Sequence, residues 1–366
     1  MLVESLVSEQ NNSEQLLAPS TDPHARIDLN QLKCLSIPRV ADDSIRVGKL
    51  VGWAHGIEVF KVRDVLYLPD YGIPVWNGFV PEEAINYSSH LDVRMGRKPG
   101  VALPSACDRV VYPETFDSSQ DEVCILGNIY SKNFGHWTEE LLKVIVLEAF
   151  GFDGPYVIPQ WYPGFCHESF SLLGIPPERI ISVAGPITFK FAFFTTTISH
   201  FTAHKFPGVV HRLRDQLYEA ADLETGMGDR IWAERGGQTK KGRDVVNKEE
   251  VYSCIKKNGF VPIDFGEYTL RKQVAIDRDM EVILGPHGSA FVHCGFMAMQ
   301  RDVIEIFSPY YINPSVIQLC LAMKHQYAQL VPVNTPFSLY NFGMDIMIDV
   351  DHLELALASL GPRRNK

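Results

Sequence analysis

Three stretches of this sequence carry residue types whose spacing could do chemistry. The first is Gly285-Pro286-His287-Gly288-Ser289-Ala290. It follows the apolar run Val282-Ile283-Leu284 and precedes Phe291 to Met297, after which a second apolar run, Val303-Ile304-Glu305-Ile306-Phe307, begins. The pattern predicts strand, glycine loop, short helix, strand. Such a loop turns backbone N–H groups toward the start of a helix, where the helix dipole also favours an anion. Its glycines let a phosphate come close to the main chain. An ordinary strand-to-helix turn in an α/β protein would read the same way. The second stretch is the basic loop from Arg235 to Arg243, which contains Gly236-Gly237 and Lys240-Lys241 and follows the predicted strand 230–233. Ligands of open α/β sheets sit beyond the carboxyl ends of the strands, and arginine forks suit phosphate oxygens. A solvated basic loop is the plainer alternative. The third is His136, Glu140 and Lys143, at i, i+4 and i+7 on one face of a predicted helix. A histidine and a carboxylate there could serve as general bases. Acids complementing a helix dipole, with His136 near the cap, would look alike.

The elements that must position these groups alternate between strand and helix. From Ile37 to Val111 the chain reads as short strands, including 57–62 and 65–68, separated by turns at Asp70, Gly72, Pro74 and Gly78. The strand 123–127 leads to Asn133, a plausible N-cap, and to a helix that is apolar nearly all round in its second half. Strands at 156–159, 180–183 and 191–195 follow, with a helix at 169–173. Phe206-Pro207-Gly208 reads as a linker. A second αβ region then runs through strands 230–233, 260–263, 282–284, 303–307 and 328–331, with helices at 210–221, 248–258, 270–277, 316–323 and 353–360. Alternation of this kind predicts mainly parallel sheets, hence an α/β fold.

The chain has 366 residues, 46% of them hydrophobic, which suits two domains better than one. Residues 1–30 are expected to be a disordered tail, 31–205 a β-rich plus α/β domain, and 206–366 a second α/β domain whose last helix can pack back on the first. No apolar span of transmembrane length and no secretory signal are read. A net charge of −10 argues against a nucleic-acid partner. The seven cysteines, at 34, 107, 124, 166, 254, 294 and 320, form no CxxC pair and read as reduced thiols of a cytosolic protein.

Metal signals are weak. His200, His204 and His211 match no zinc spacing and fall in what reads as a loop. Asp277-Arg278-Asp279 reads as a turn between helix and strand. In Asp349-Val350-Asp351, the second acid is read with Glu354 as a capping box for the closing helix.

Together, Asn133-Phe134-Gly135-His136-Trp137 with Glu140, then Arg235 and Arg243, then Gly285-Pro286-His287-Gly288, then Glu305, resemble glycosyltransferase family 61 over roughly residues 120–360. That family includes bacterial capsule- and lipopolysaccharide-type transferases, plant xylan arabinosyl- and xylosyltransferases and animal O-linked N-acetylglucosaminyltransferases. The resemblance implies a GT-B architecture: two Rossmann-like domains facing each other across a cleft, no metal, and inversion at the anomeric carbon. It implies no cofactor beyond a nucleotide-sugar co-substrate, expected to be a UDP-sugar. Arg235, Arg243, His287, Gly288, Ser289 and Glu305 would bind the donor, with Glu305 reaching ribose hydroxyls. Glu140 is the first choice as base and His136 the second. The expected acceptor is a glycan or lipid-linked glycan, met by a cytoplasmic enzyme, peripheral at the inner face of a membrane. Glu234 and Gly236 around Arg235, and Met299 to Asp302 where the family usually has Pro-x-Gly, depart from the pattern, so the resemblance does not name the donor sugar. Two other readings are a sugar-nucleotide isomerase or phosphorylase on a similar fold and a non-catalytic nucleotide- or glycan-binding relative.

Overall fold

The structure is a computed structural model of the chain. It describes residues 45–49, 52–69, 72–75, 116–117, 122–127, 130–221, 226–235, 244–308, 312–331 and 345–360. The expected tail 1–30, most of the opening region between 76 and 121, Cys34, Cys107 and the loop 236–243 with Arg243 lie outside the described residues.

Strands β1 (Ile45–Lys49), β2 (Glu58–Leu68), β3 (Ile73–Val75), β4 (Phe116–Asp117), β5 (Glu122–Ile125), β6 (Tyr156–Pro159), β7 (Ile180–Val183) and β8 (Ile187–Thr195) form the first sheet. Among the described residues it is eight-stranded, in the order β1-β2-β8-β5-β6-β7, with β3 on β2 and β4 on β8. β5, β6, β7 and β8 run parallel, while β2 is antiparallel to both β1 and β8. The two short strands expected at 57–62 and 65–68 are one. Asp64 takes a positive φ of 55° in its middle, yet Arg63 and Val65 both stay in register with β8. The polar Arg63-Asp64 pair breaks the apolar pattern without breaking the ladder.

Helix α1 (Phe134–Phe150) follows β5. Asn133 caps it, its side chain accepting the Gly135 N–H at 2.9 Å, and Gly151 at φ 90° ends it in a left-handed turn. Every residue from Trp137 to Leu147 is buried, three charged side chains included. Helix α2 (Gly164–Leu172) lies beyond β6.

The expected linker at 206–208 is the start of helix α3 (Pro207–Ala220), where proline's fixed φ suits the first turn. The expected histidine loop before it is a 3₁₀ segment, His200–Lys205. α3 packs on α1, and its buried residues Val210, Leu213 and Leu217 belong to one continuous cluster. That cluster runs from Tyr156 and Leu141 in the first half to Ile231 and Ile283 in the second.

The second sheet holds β9 (Arg230–Ala233), β10 (Val261–Ile263), β11 (Val282–Pro286), β12 (Asp302–Ile306) and β13 (Gln326–Leu330). Its order is β10-β9-β11-β12-β13, and every pair is parallel. Helices α4 (Lys248–Lys257), α5 (Leu270–Asp279) and α6 (Ser315–Met323) make the crossovers. Parallel strands put all their carboxyl ends on one edge, so the turns after β9, β11 and β12 gather there. The closing helix α7 (Val350–Ala358) packs on α4 and β13, and its buried Leu353 and Leu357 belong to a cluster with strands of the second sheet. Its cap is Asp349, which accepts the N–H groups of Asp351 and His352, and not the expected Asp351–Glu354 box. Among the described residues no helix is long and apolar enough to cross a membrane.

Candidate active site

The glycine loop is built by close approach. Gly285 has φ 158°, and a Cβ there would lie 2.7 Å from the Ala233 carbonyl oxygen on β9. Only glycine lets β11 run that near its neighbour. The His287 N–H donates to the Ile306 carbonyl at 2.8 Å, extending the pairing with β12. Gly288 is extended, and a Cβ on it would meet the Arg235 Nη1 at 2.7 Å. The short helix expected next is a seven-residue 3₁₀ segment, Ser289–Gly295.

Arg235, His287, Gly288, Ser289 and Glu305 come together at this edge. The Arg235 guanidinium donates from Nη1 to the His287 carbonyl at 2.7 Å, so the basic loop is tied to the glycine loop at its first residue. The His287 ring pairs through Nδ1 with Glu305 and stacks on Phe307 at 4.9 Å. Glu305 is fully buried. Its other oxygen accepts the Tyr327 hydroxyl at 2.8 Å. The carboxylate read as reaching donor hydroxyls is thus committed to His287 and Tyr327. Burial and then the Glu305 charge push the Tyr327 phenol well above its ordinary range, so it remains a donor. Tyr327 carried no sequence signal of its own. It stands opposite Val303, two residues before Glu305 on the neighbouring strand, which only the strand register reveals.

The α1 residues separate into two pairs. Glu140 is fully buried and forms an ion pair with Lys143 at 3.0 Å. Its charge reaches the buried Tyr67, Tyr162 and Cys166, whose acidities burial has already weakened. His136 instead turns its Nδ1 toward Glu139, at 3.6 Å, and its ring lies tilted against Tyr130, 5.2 Å between centroids. Its side chain is 27% exposed. One residue before it, a Cβ on Gly135 would stand 3.5 Å from the Ser289 Cα and 3.2 Å from Val292. The start of α1 therefore rests on the glycine loop.

A second buried pair fixes that contact. His293 donates or accepts through Nδ1 with Asp277 at 2.7 Å. Its ring lies between Phe265, at 3.9 Å, and Phe134, the first residue of α1, at 5.4 Å. Asp277 to Asp279 end helix α5, correcting the expected turn, and burial pushes the Asp277 carboxyl up against the pull of His293.

No curated protein matches the chain. Residues 134–304, from the first residue of α1 to the middle of β12, match the family described as Glycosyltransferase 61. The stretch that matches contains both the α1 pairs and the glycine loop, and on that match this chain carries a glycosyltransferase family 61 domain.

Proposed function

We propose that the chain transfers a sugar from a nucleotide-sugar donor, a UDP-sugar first of all, to a hydroxyl of a glycan acceptor, with inversion and without a metal, on a GT-B arrangement. One observation carries this reading. Arg235, Gly288 and the Glu305–His287–Tyr327 set converge at the carboxyl edge of a parallel sheet, with the start of α1 against them. The donor diphosphate sits over Gly288, which carries no side chain, and beside Ser289, and Arg235 meets its charge. Glu305 and Tyr327 hold the His287 ring in one orientation. Arg243, outside the described residues, belongs to the same basic loop.

His136 is the base in this proposal. It is partly exposed next to the loop, whereas Glu140 is enclosed with Lys143. The acceptor hydroxyl gives its proton to the His136 imidazole as its oxygen bonds to the anomeric carbon. The bond from that carbon to the diphosphate oxygen breaks on the opposite face, and its electrons leave with the nucleotide. The acceptor is read as a capsule- or lipopolysaccharide-like glycan, presented at the inner face of a membrane.

A thermal-shift panel of nucleoside diphosphates and nucleotide sugars tests the donor site. A ligand at about a hundred times its Kd adds roughly 2.7 kcal/mol of stability. Folded protein unmoved by every nucleoside diphosphate would end the donor-site reading. His136→Ala is expected to keep that shift while losing turnover.

A further inference from the structure

Glu139 has no part in the steps above, yet it is a fully buried charge beside the proposed base. Its Oε2 lies 3.6 Å from His136 Nδ1. Its Oε1 accepts the backbone N–H of His200 at 2.9 Å and lies 3.8 Å from His200 Nδ1. A buried carboxylate is costly unless it is satisfied. Burial pushes the Glu139 carboxyl up, but His200, His136 and the His200 N–H outweigh that and hold it below the ordinary carboxylate range.

The neighbouring hydroxyl decides where the ring protons are. Thr138 donates its one proton to the Gly135 carbonyl at 2.8 Å. At 2.8 Å from His200 Nε2 it must then accept, so the His200 proton is on Nε2. Burial pushes His200 down despite Glu139. His200 Nδ1 stands 3.8 Å from Glu139 Oε1 and His136 Nδ1 3.6 Å from Oε2, so the nearer ring nitrogen beside the carboxylate is that of His136. That atom is shielded from solvent and, at 3.6 Å from Glu139 Oε2, is in electrostatic contact with it at more than hydrogen-bond length, while the side chain as a whole is partly exposed.

We propose that Glu139 is the positioning residue for His136: its charge favours the His136 proton on Nδ1, leaving the Nε2 lone pair for the acceptor hydroxyl, while the His200 backbone N–H fixes Glu139 and Thr138 fixes the His200 ring. This rests on the reading of His136 as base. A carboxylate that sets the tautomer of a catalytic histidine is worth on the order of 10⁴ in rate in serine proteases.

The test uses the full chain labelled with ¹⁵N-histidine, above about pH 8.5, where imidazoles are neutral. The His136 signals are identified by their loss in His136→Gln. Wild-type His136 is expected as the Nδ1–H tautomer, and Glu139→Gln is expected to move it toward Nε2–H. The same variant should lose roughly 10² to 10⁴ in kcat with donor KM within about twofold of wild type, and Glu139→Asp should recover part of the loss. An Nε2–H tautomer in the wild-type protein overturns the proposal without any variant having to fold. Full kcat in folded Glu139→Gln overturns it as well. Wild-type turnover in His136→Gln removes the base reading and this proposal with it. Loss of turnover in His136→Gln together with an Nε2–H wild-type ring leaves the base reading standing and removes the role of Glu139 alone.

Discussion

Arg235 and His287, on separate loops, are joined by a hydrogen bond from the guanidinium Nη1 to the main-chain carbonyl, 2.7 Å long. The bond uses one donor of the fork and leaves the plane of the guanidinium set by the loop that would face a diphosphate. Lysine keeps the charge but cannot hold the carbonyl and fork a phosphate together. Arg235→Lys should therefore weaken nucleoside diphosphate binding about tenfold to a hundredfold. Calorimetric titration with UDP checks this, and an unchanged Kd in the folded variant would take Arg235 out of the donor site.

Glu140 and Lys143 offer a cleaner separation of structure from chemistry. Glu140→Gln strands a buried ammonium, a change that costs about 3 to 5 kcal/mol when one partner of such a pair is removed. Adding Lys143→Met to the same chain should restore most of the stability in denaturant unfolding. The restored double variant should turn over at close to the wild-type rate. Were it folded and inactive, Glu140 and not His136 would be the base.

Gly285 is the tightest point of the loop. Gly285→Ala places a methyl 2.7 Å from a main-chain oxygen that has no flexible end to move. The expected cost is about 1 to 3 kcal/mol, with weaker donor binding as Ala233 and the start of the basic loop are displaced. Gly164→Ala, where an added Cβ meets nothing within 4 Å, is the control and should be close to neutral.

His325 gives the fold an acid limit. Its Nδ1 accepts the Arg301 N–H at 2.9 Å, and its Nε2 faces the Cys294 carbonyl at 2.8 Å, which suits a neutral ring. Burial, with smaller contributions from Arg301 and Arg214, outweighs the Cys294 hydrogen bond and pushes the ring down to about 4. The unfolded chain takes up this proton near pH 6.5, the folded chain only near 4, so acidification favours unfolding between those values. The stability from this group is complete above about pH 6.5 and is lost as pH falls through about 4. It amounts to on the order of 3 kcal/mol. His325→Gln should be less stable at pH 7, and its stability should fall less steeply from pH 6.5 to 4 in urea titrations.

The sequence made β9, β11 and β12 of the second sheet legible because each centres on a short apolar run. Gly285 to Ser289 could be read as a ligand loop from composition alone. The partners of those residues could not. Glu139 and Glu140 both neighbour His136 on a helix, at i+3 and i+4, and only the packing of α1 decides that the first meets the ring while the second turns to Lys143. Tyr327 needed the register of β12 on β13. Asp277 looked like a turn residue because a charged triplet before a strand usually is one; its burial depends on His293, sixteen positions on. Asp64 misled in the opposite direction, as a polar residue inside a continuous strand.

Gly208, in the first turn of α3, has no room for a side chain because the Trp53 main chain lies directly against it. The same helix packs on α1, α5 and α6. A donor-half graft between relatives therefore has no neutral seam near residue 206: cutting before α3 takes it off the Trp53 backbone, and cutting after it takes it off α5 and α6. On the proposed donor site, point substitutions around Arg235 and the glycine loop are then the route to a changed preference, rather than exchange of halves.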